Sequence, residues 1–466
     1  MTYGEVLTML KPTVLIRSAL FSLLAITATS GVAAEDVNLN TDDVRAGGTP
    51  TGNLIRIPVE RIQVTDNIFY ASGLANAYVV NTSEGAVVID TGFAHQSPRQ
   101  MALLKEVIDG PVKYIFLPQG QHDDIGGIDL IKEDGTQIIM TRNSMEYMIH
   151  RKKAQGYLSP RYAALYNWAP ELDQKGSERK KKATPFPYEV IAPDILVEDE
   201  AGYKFELGGV RFEVMSLPGA EGINSAGLWL PEEKILFAGG GSVGPDFPMW
   251  PNLGTVRADR NRILTEYIDT INKIIALEPE MLLPQQNQIH TNKDEIMTSL
   301  VLMRDAAQYV HDQIWAGLSE GKDVYELMRE IQLPEHLAHL SQQHGRVEWT
   351  VRETVYQAGG WFQYRYTSEL YPFRPHEIYP ELVRMAGEES VVKEARVMLA
   401  AGELERAMMM AEAALAADQE SQAALILQLD VLQALLKRAQ EGYNTFSEVA
   451  WLQSQIAKVR TKLGRA

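Results

Sequence analysis

The sequence contains no cysteine. Disulfides, thiolate metal ligands and cysteine nucleophiles are excluded together, so any metal site must use histidine, carboxylate or amide oxygen. Histidine is scarce too, with nine in 466 residues. Positive charge is in deficit: 44 Lys and Arg stand against 61 Asp and Glu, a net −17. A field of that sign repels nucleic-acid backbones and anionic membrane surfaces, so nucleic acid is not expected as a partner. No fixed short period marks an array of many repeats. What is present is 45% hydrophobic and 23% charged residues, the composition of a globular chain. Its length suits two or three domains.

The first 34 residues stand apart. Lys11 and Arg17 precede the apolar stretch Ala19–Ile26, which runs on through Thr27, Ser30 and Gly31 to Val32, Ala33 and Ala34. A basic flank, a short apolar segment and small residues at the cleavage positions read as a secretory signal cut after Ala34. The apolar core falls short of the roughly 20 residues a spanning helix needs. The expectation is an exported protein, periplasmic or secreted, with no membrane span once the signal is removed. Met9 is an alternative start that gives a more ordinary signal length.

From Ile62 onward, short β-branched and aromatic runs alternate with helix-like stretches. Strands are expected at Ile68–Ala71, Ala77–Asn81, Ala86–Asp90, Tyr114–Leu117 and Gln137–Thr141, with helices at Ser97–Ile108 and Asn143–Gln155. A second series follows: Lys204–Leu207, Val210–Leu217, Ser225–Leu230 and Ile235–Ala238, then a helix over Arg260–Leu277 and a strand at Met281–Leu283. Alternation of this kind predicts an α/β layered domain over 35–295. Between the two series, the basic run Arg179–Lys182 beside Pro185 and Pro187 reads as a solvated insertion loop. After residue 295 the apolar spacing turns helical, over Ile296–Gly317, Asp323–Ile331, Pro334–Gln343 and Arg346–Gln357. A helical region over 296–380 and a further one over 381–466 are expected. The latter, at Ser390–Ala401, Glu403–Ala416 and Gln419–Ala439, is similar to a tetratricopeptide hairpin, and Met408–Met410 reads as adaptable packing within it.

Two segments bear on chemistry. Ala86-Val-Val-Ile-Asp90-Thr-Gly92 is a strand running into a turn, and Tyr114-Ile-Phe-Leu-Pro118-Gln-Gly-Gln121-His-Asp-Asp124-Ile-Gly126-Gly127 is a strand running into a polar loop closed by two glycines. Together they resemble the metallo-β-lactamase fold, an αββα sandwich whose loop carries His-x-His-x-Asp-His-x-Gly-Gly. Leu217-Pro-Gly-Ala-Glu221 and Asn252-Leu-Gly-Thr255-Val-Arg257 resemble one branch, the alkylsulfatases. Met303–Gln313, Gly321, Leu333-Pro334, Val355–Gln357 and Gly360–Phe362 follow the dimerisation region of that branch in order and spacing. The resemblance implies a hydrolase of sulfate or related esters, a homodimer, and one or two zinc ions that ionise a water.

The resemblance breaks at the ligands. Anchored on Gly126-Gly127, the first two ligand histidines fall on Gln119 and Gln121, the aspartate on Asp123 and the last histidine on Asp124. Gly240 stands at the bridging acid, and Gln285-Gln286 stand in the final histidine element. Glu221 is the one second-segment carboxylate that matches. Glutamine oxygen is a weak zinc donor, whereas the remaining oxygens of Asp123, Asp124 and Glu221 suit Ca²⁺, Mg²⁺ or Mn²⁺. The expected site is thus a remodelled oxygen-ligated one, or one without metal. A metal-free route gives His122 the role of general base, with Asp123 or Asp124 orienting it. Asn252, Thr255 and Arg257 hold the sulfate group by the resemblance; the plainer reading pairs Arg257 with Asp259 or Asp246. His95 is either near the site mouth or on the surface, and His290 is a candidate substitute ligand. The expected function is an exported hydrolase of sulfate or related esters with a remodelled metal site; the alternative is an inactive relative that binds a small anionic or amphiphilic ligand or a protein partner.

Overall fold

The computed structural model describes residues 57–166, 188–254, 256–257 and 259–465. The signal-like segment 1–34, the basic run at 179–182 and Thr255 lie outside them.

Among the described residues, twelve strands form two sheets. The first holds β1 (Arg61–Gln63), β2 (Ile68–Ala71), β3 (Ala77–Thr82), β4 (Gly85–Ile89), β5 (Val112–Phe116), β6 (Gln137–Thr141) and β7 (Ile195–Val197), in that order across the sheet. Strands β1 to β4 pair antiparallel and β4 to β7 parallel. The second holds β8 (Tyr203–Leu207), β9 (Val210–Ser216), β10 (Ala226–Leu230), β11 (Ile235–Ala238) and β12 (Met281–Pro284), ordered β12-β11-β10-β9-β8. Its one parallel pair, β11 with β12, sets Ala238 beside Pro284.

Both strand faces are apolar where the sheets meet. Tyr78, Val80, Val87, Ile89 and Phe116 of one sheet pack on Phe212, Leu228, Phe237 and Leu283 of the other. The outer face of the first sheet is covered by α1 (Ser97–Lys105), α2 (Ile128–Ile131) and α3 (Arg142–Tyr166) over Val79, Val88, Ile115 and Met140. The second is covered by α4 (Leu264–Leu277) and α5 (Lys293–Ser319) over Trp229, Leu236 and Leu282. The four layers are those of an αββα sandwich, the fold class expected.

The helical remainder comprises α6 (Val324–Glu330), α7 (Val347–Gly359), α8 (Tyr379–Ala386), α9 (Glu388–Ala400), α10 (Leu404–Ala417), α11 (Gln422–Glu441) and α12 (Phe446–Lys462). Helices α8 to α11 close around Val391, Ala395, Ala407, Ala411, Leu427 and Val431, and Met408 and Met410 pack against that seam. The helix expected over Pro334–Gln343 does not form; only a short 3-10 turn at Glu335–Leu337 does. Tertiary pairing overrides local pattern there: the Ser341 carbonyl accepts from Trp250 N–H at 2.7 Å, and Ser341 N–H donates to Pro248 at 3.1 Å. Helices α8 and α12 were not among the expected elements.

Candidate functional site

The strand ends deliver the site. Asp90 follows β4 with φ 65°, a left-handed conformation that aspartate tolerates better than most residues. Its N–H donates to Phe116 O at 2.9 Å, and its Oδ1 accepts from Gly92 N–H at 2.7 Å, so the carboxylate is fixed at the sheet edge. Gln119 follows β5, Gln285 follows β12, and Glu221 lies in the β9–β10 turn. Gly120 lets α3 approach: a Cβ there would stand 2.5 Å from Met148 Cγ and 3.0 Å from the Ser144 carbonyl. The two sheets are stitched at this edge by Ala226 N–H to Pro118 O at 2.9 Å and Asn76 N–H to Gln285 O at 2.6 Å.

Three glutamines run head to tail across the space between those ends. Gln121 Nε2 donates to Gln119 Oε1 at 2.6 Å. Gln119 Nε2 donates to Gln285 Oε1 at 2.7 Å and to the Gly239 carbonyl at 2.6 Å, with a longer 3.5 Å approach to Glu221 Oε2. Gln285 Nε2 ends the series on Asp90 Oδ2 at 2.7 Å. Gln119 and Gln285 are 1% and 3% exposed, so unpaired amides here would each cost about 1–3 kcal/mol. An amide carries both a donor and an acceptor, which lets each residue accept from one neighbour and donate to the next. Gln119, Gln121 and Gln285, three of the positions vacated by histidine, therefore converge and satisfy one another.

A zinc ion does not fit this donor set. Amide nitrogen offers no lone pair, and the glutamine oxygens at Gln119 and Gln285 are engaged by neighbouring amides. The expected oxygen ligands Asp123, Asp124 and Glu221 are not assembled either, which corrects their reading as a metal set. Among the described residues, no group of three or more His, Cys, Asp or Glu is arranged to hold a metal. Asp123 Oδ2 accepts from Gln286 Nε2 at 3.1 Å, and Asp124 Oδ2 from Gln121 N–H at 3.3 Å. Glu221 faces Arg262 at 3.7 Å and Gly241 N–H at 3.4 Å. Gly240 cannot be exchanged for a bridging acid, because a Cβ there would lie 2.6 Å from the Ala220 backbone.

Burial shapes the acid chemistry. It pushes the Asp90 carboxyl well above its usual range, and it does the same to Asp124, with Asp123, Asp90 and Glu221 adding repulsion. The interaction between the two favours the neutral acid at Asp124 and the anion at Asp90. Asp123 is pushed up to about 6 by burial first and Glu221 second. His122 moves the other way, down to about 4, through burial and the nearby Arg151. Its ring stands edge-on to Tyr188, 4.7 Å between centroids. The His122 ring is therefore held neutral, while Asp123 and Asp124 meet the side chain of Gln286 and the backbone N–H of Gln121.

The strip expected to grip sulfate is turned elsewhere. Arg257 donates to the His344 carbonyl at 2.8 Å and to Ser447 Oγ at 3.0 Å, and lies 5.3 Å from the Phe446 ring centroid. Its fork ties the domain to the start of α12, which corrects both the sulfate role and the pairing with Asp259 or Asp246. Asn252 is fully buried beneath Gly345, whose Cβ would stand 2.7 Å from Asn252 Cα. His95 is exposed in the turn before α1. His290 lies 4.0 Å from Asp246 on the far side of Gly244, not among the glutamines.

Four residues that sequence reasoning passed over belong to the site. Arg262, buried, is the cation beside Glu221 and Asp259, at 3.7 and 3.9 Å. Tyr188 donates its hydroxyl to the Gly120 carbonyl. Ser225 Oγ accepts from the N–H groups of Glu221 and Gly222 at 3.2 and 3.0 Å. Arg151 lies on α3 over the Tyr188 ring. A signal for Arg151 was legible: Ser144, Tyr147, Met148 and Arg151 follow the i, i+3, i+4, i+7 spacing of a buried helix face.

The metallo-β-lactamase superfamily profile matches residues 72–286, and the alkyl sulfatase dimerisation profile matches residues 323–448. A linear primary-alkylsulfatase of Pseudomonas sp. is 23% identical over 340 residues, covering 70% of this chain and 62% of its own length. An (R)-specific secondary-alkylsulfatase of Pseudomonas sp. is 23% identical over 408 residues, covering 82% and 59%. The chain thus spans about three fifths of the length of these relatives. A solved stereoselective inverting sec-alkylsulfatase from Pseudomonas sp. superposes with TM-score 0.69 at 18% identity, over 87% of this chain and 66% of that one. A double mutant of a sec-alkyl sulfatase gives TM-score 0.71, again at 18% identity, over 89% and 67%. The chain carries a metallo-β-lactamase domain followed by an alkyl sulfatase dimerisation domain.

Proposed function

We propose that this protein is a metal-independent relative of the alkylsulfatases that binds a sulfated amphiphile without hydrolysing it. The observation that carries the reading is the run Gln121–Gln119–Gln285–Asp90, in which the vacated ligand positions complete one another's hydrogen bonds. An apolar or charged residue at these buried positions would leave the neighbouring amides unmet, whereas glutamine at each lets the run close on Asp90. Without a metal ion the pKa of an attacking water stays near its bulk value, and the main source of hydrolytic rate is gone. Purified protein is expected to contain no stoichiometric zinc by elemental analysis and to release no sulfate from dodecyl sulfate above background. Sulfate release that Asp123→Ala or Glu221→Ala abolishes would overturn this reading.

One observation favours the alternative, hydrolysis by the remodelled site. Asp123, whose carboxyl burial raises to about 6, is mostly ionised at neutral pH yet basic enough to take up a proton. The same sulfate-release assay decides between them.

Export through the 1–34 segment and assembly as a homodimer complete the proposal. Among the described residues no helix is long and apolar enough to cross a membrane. The dimerisation domain presents Trp361, Tyr364, Tyr366, Tyr371, Phe373 and Met385, each half exposed or more, on one continuous stretch. A run of aromatics that open to water is a surface for a partner, and the matched domain supports a second copy. The double substitution Tyr364→Glu with Tyr366→Glu is expected to shift the light-scattering mass from two chains to one. A dimer that persists unchanged would remove this face from the interface.

A further inference from the structure

Helix α3 lays one buried face against the glutamine loop. Ser144 Oγ donates to the Asn224 carbonyl at 2.7 Å, and Met148 fills the space over Gly120. Two turns on from Ser144, where an apolar side chain would continue that face, stands Arg151, 9% exposed. Its guanidinium carbon lies 4.4 Å from the Tyr162 ring centroid, 5.7 Å from that of Tyr188 and 5.9 Å from that of Tyr147. Its Nη1 has no hydrogen-bond partner. Among the described residues no carboxylate lies within ion-pair distance of it; Asp259, the acid nearest in its field, is 3.9 Å from Arg262 instead.

The energetics of that arrangement are incomplete. Withdrawing a guanidinium from water costs several kcal/mol. Cation–π contacts return about 0.5–2 kcal/mol each at best, and leave the Nη1 N–H groups unmet. The N–H fork matches the geometry of an oxyanion. A neutral His122 ring and three tyrosines wall the same space, so the surroundings are apolar in body and polar at the tips. One guanidinium without a carboxylate balances one negative charge, and Asp123, Asp124 and Glu221 nearby disfavour a second.

We propose that Arg151 is a headgroup subsite beside the glutamine loop, taking a monoanionic oxyanion, a sulfate or sulfonate, with the tyrosine rings against the adjoining carbon chain. The proposal rests on the binding reading above for the class of ligand but not on the absence of turnover. Decane-1-sulfonate, which carries no ester to cleave, separates the two: its binding is read by calorimetry whether or not the protein hydrolyses sulfates.

Full-length protein titrated with decane-1-sulfonate, below its micellar range, is expected to bind. Arg151→Gln is expected to weaken that binding at least tenfold and Arg151→Lys about threefold to fivefold, because lysine keeps the charge and loses the fork. Lys152→Gln, an exposed neutralisation on the next residue of α3, is expected to change affinity less than twofold. Sodium sulfate that displaces the sulfonate assigns the subsite to the oxyanion itself, whether free or esterified. Equal affinity of wild type and Arg151→Gln would overturn the proposal, as would an equal loss in Lys152→Gln or tighter binding of decyl phosphate. Should the glutamine variant fail to fold, the lysine variant still decides, and unchanged affinity in it has the same force.

Discussion

Substituting histidine at four positions together, Gln119→His, Gln121→His, Asp124→His and Gln285→His, is expected to turn a chain that purifies without zinc into one that holds a single zinc ion. The backbone for such a site already exists. Gln119 and Gln285 reach each other across the two sheets at 2.7 Å, Gln121 reaches Gln119 at 2.6 Å, and Glu221 stands 3.5 Å from the same amide. Imidazole nitrogen restores the borderline donor that zinc prefers, and a gain of more than a thousandfold in apparent affinity is the expected scale. A second ion is excluded by Gly240. A bridging carboxylate there would drive its Cβ to 2.6 Å from Ala220 C and O, and backbone cannot yield as a flexible side chain could. Elemental analysis and a competitive chelator titration measure both points. Protein that stays zinc-free would show that the loops have moved beyond ligand distance; two ions per chain would show that Gly240 is not the barrier.

That expectation separates what the sequence made legible from what it did not. Anchoring on Gly126-Gly127 placed Gln119, Gln121 and Asp124, and the final histidine element placed Gln285, at one site; the strand ends bring them there, since both loops follow short apolar runs that form central strands. The chemistry of that site was less legible. A carboxylate string such as Asp123-Asp124 beside Glu221 reads as a metal set when only residue types are counted, but side-chain direction divides the three among Gln286, Asp90 and Arg262. Adjacent residues on a loop point apart, and no periodicity records it. Arg257 misled for a different reason. Its motif is local, whereas its partners His344 and Ser447 lie 87 and 190 residues away and belong to the helical region. The expected helix at Pro334–Gln343 failed likewise, pulled into backbone pairing with Pro248 and Trp250. Long-range capture of a local pattern is what a single sequence shows least.

The buried acid pair gives the second large effect, a loss of stability on the alkaline side. Asp90 and Asp124 have carboxyls raised well above their unfolded range, so the folded chain keeps a proton that the unfolded chain releases near pH 4. Stability from such a group is complete at low pH and falls as pH rises toward the folded value, at about 1.4 kcal/mol per pH unit for each proton. Two neighbours of the pair in the same loop act in part of the same range. Asp123, near 6, contributes the same falling slope but only up to about pH 6. His122, near 4, contributes the opposite slope: the unfolded imidazole holds a proton between about pH 4 and 6.5 that the folded one has lost. These two offset each other and are spent by pH 6.5. Above it, the remaining decline belongs to Asp90 and Asp124. Asp124→Asn keeps a donor toward Asp90 and an acceptor for Gln121 N–H while removing the titration. Its melting temperature is therefore expected to fall less steeply from pH 6.5 to 8.5 than that of the wild type, with a gain of about 1–3 kcal/mol at the upper end. Circular dichroism melts across that series test it. Parallel curves for the two proteins would mean that Asp124 does not carry the proton, and that the amide run through Gln285 meets a fully ionised pair at its end.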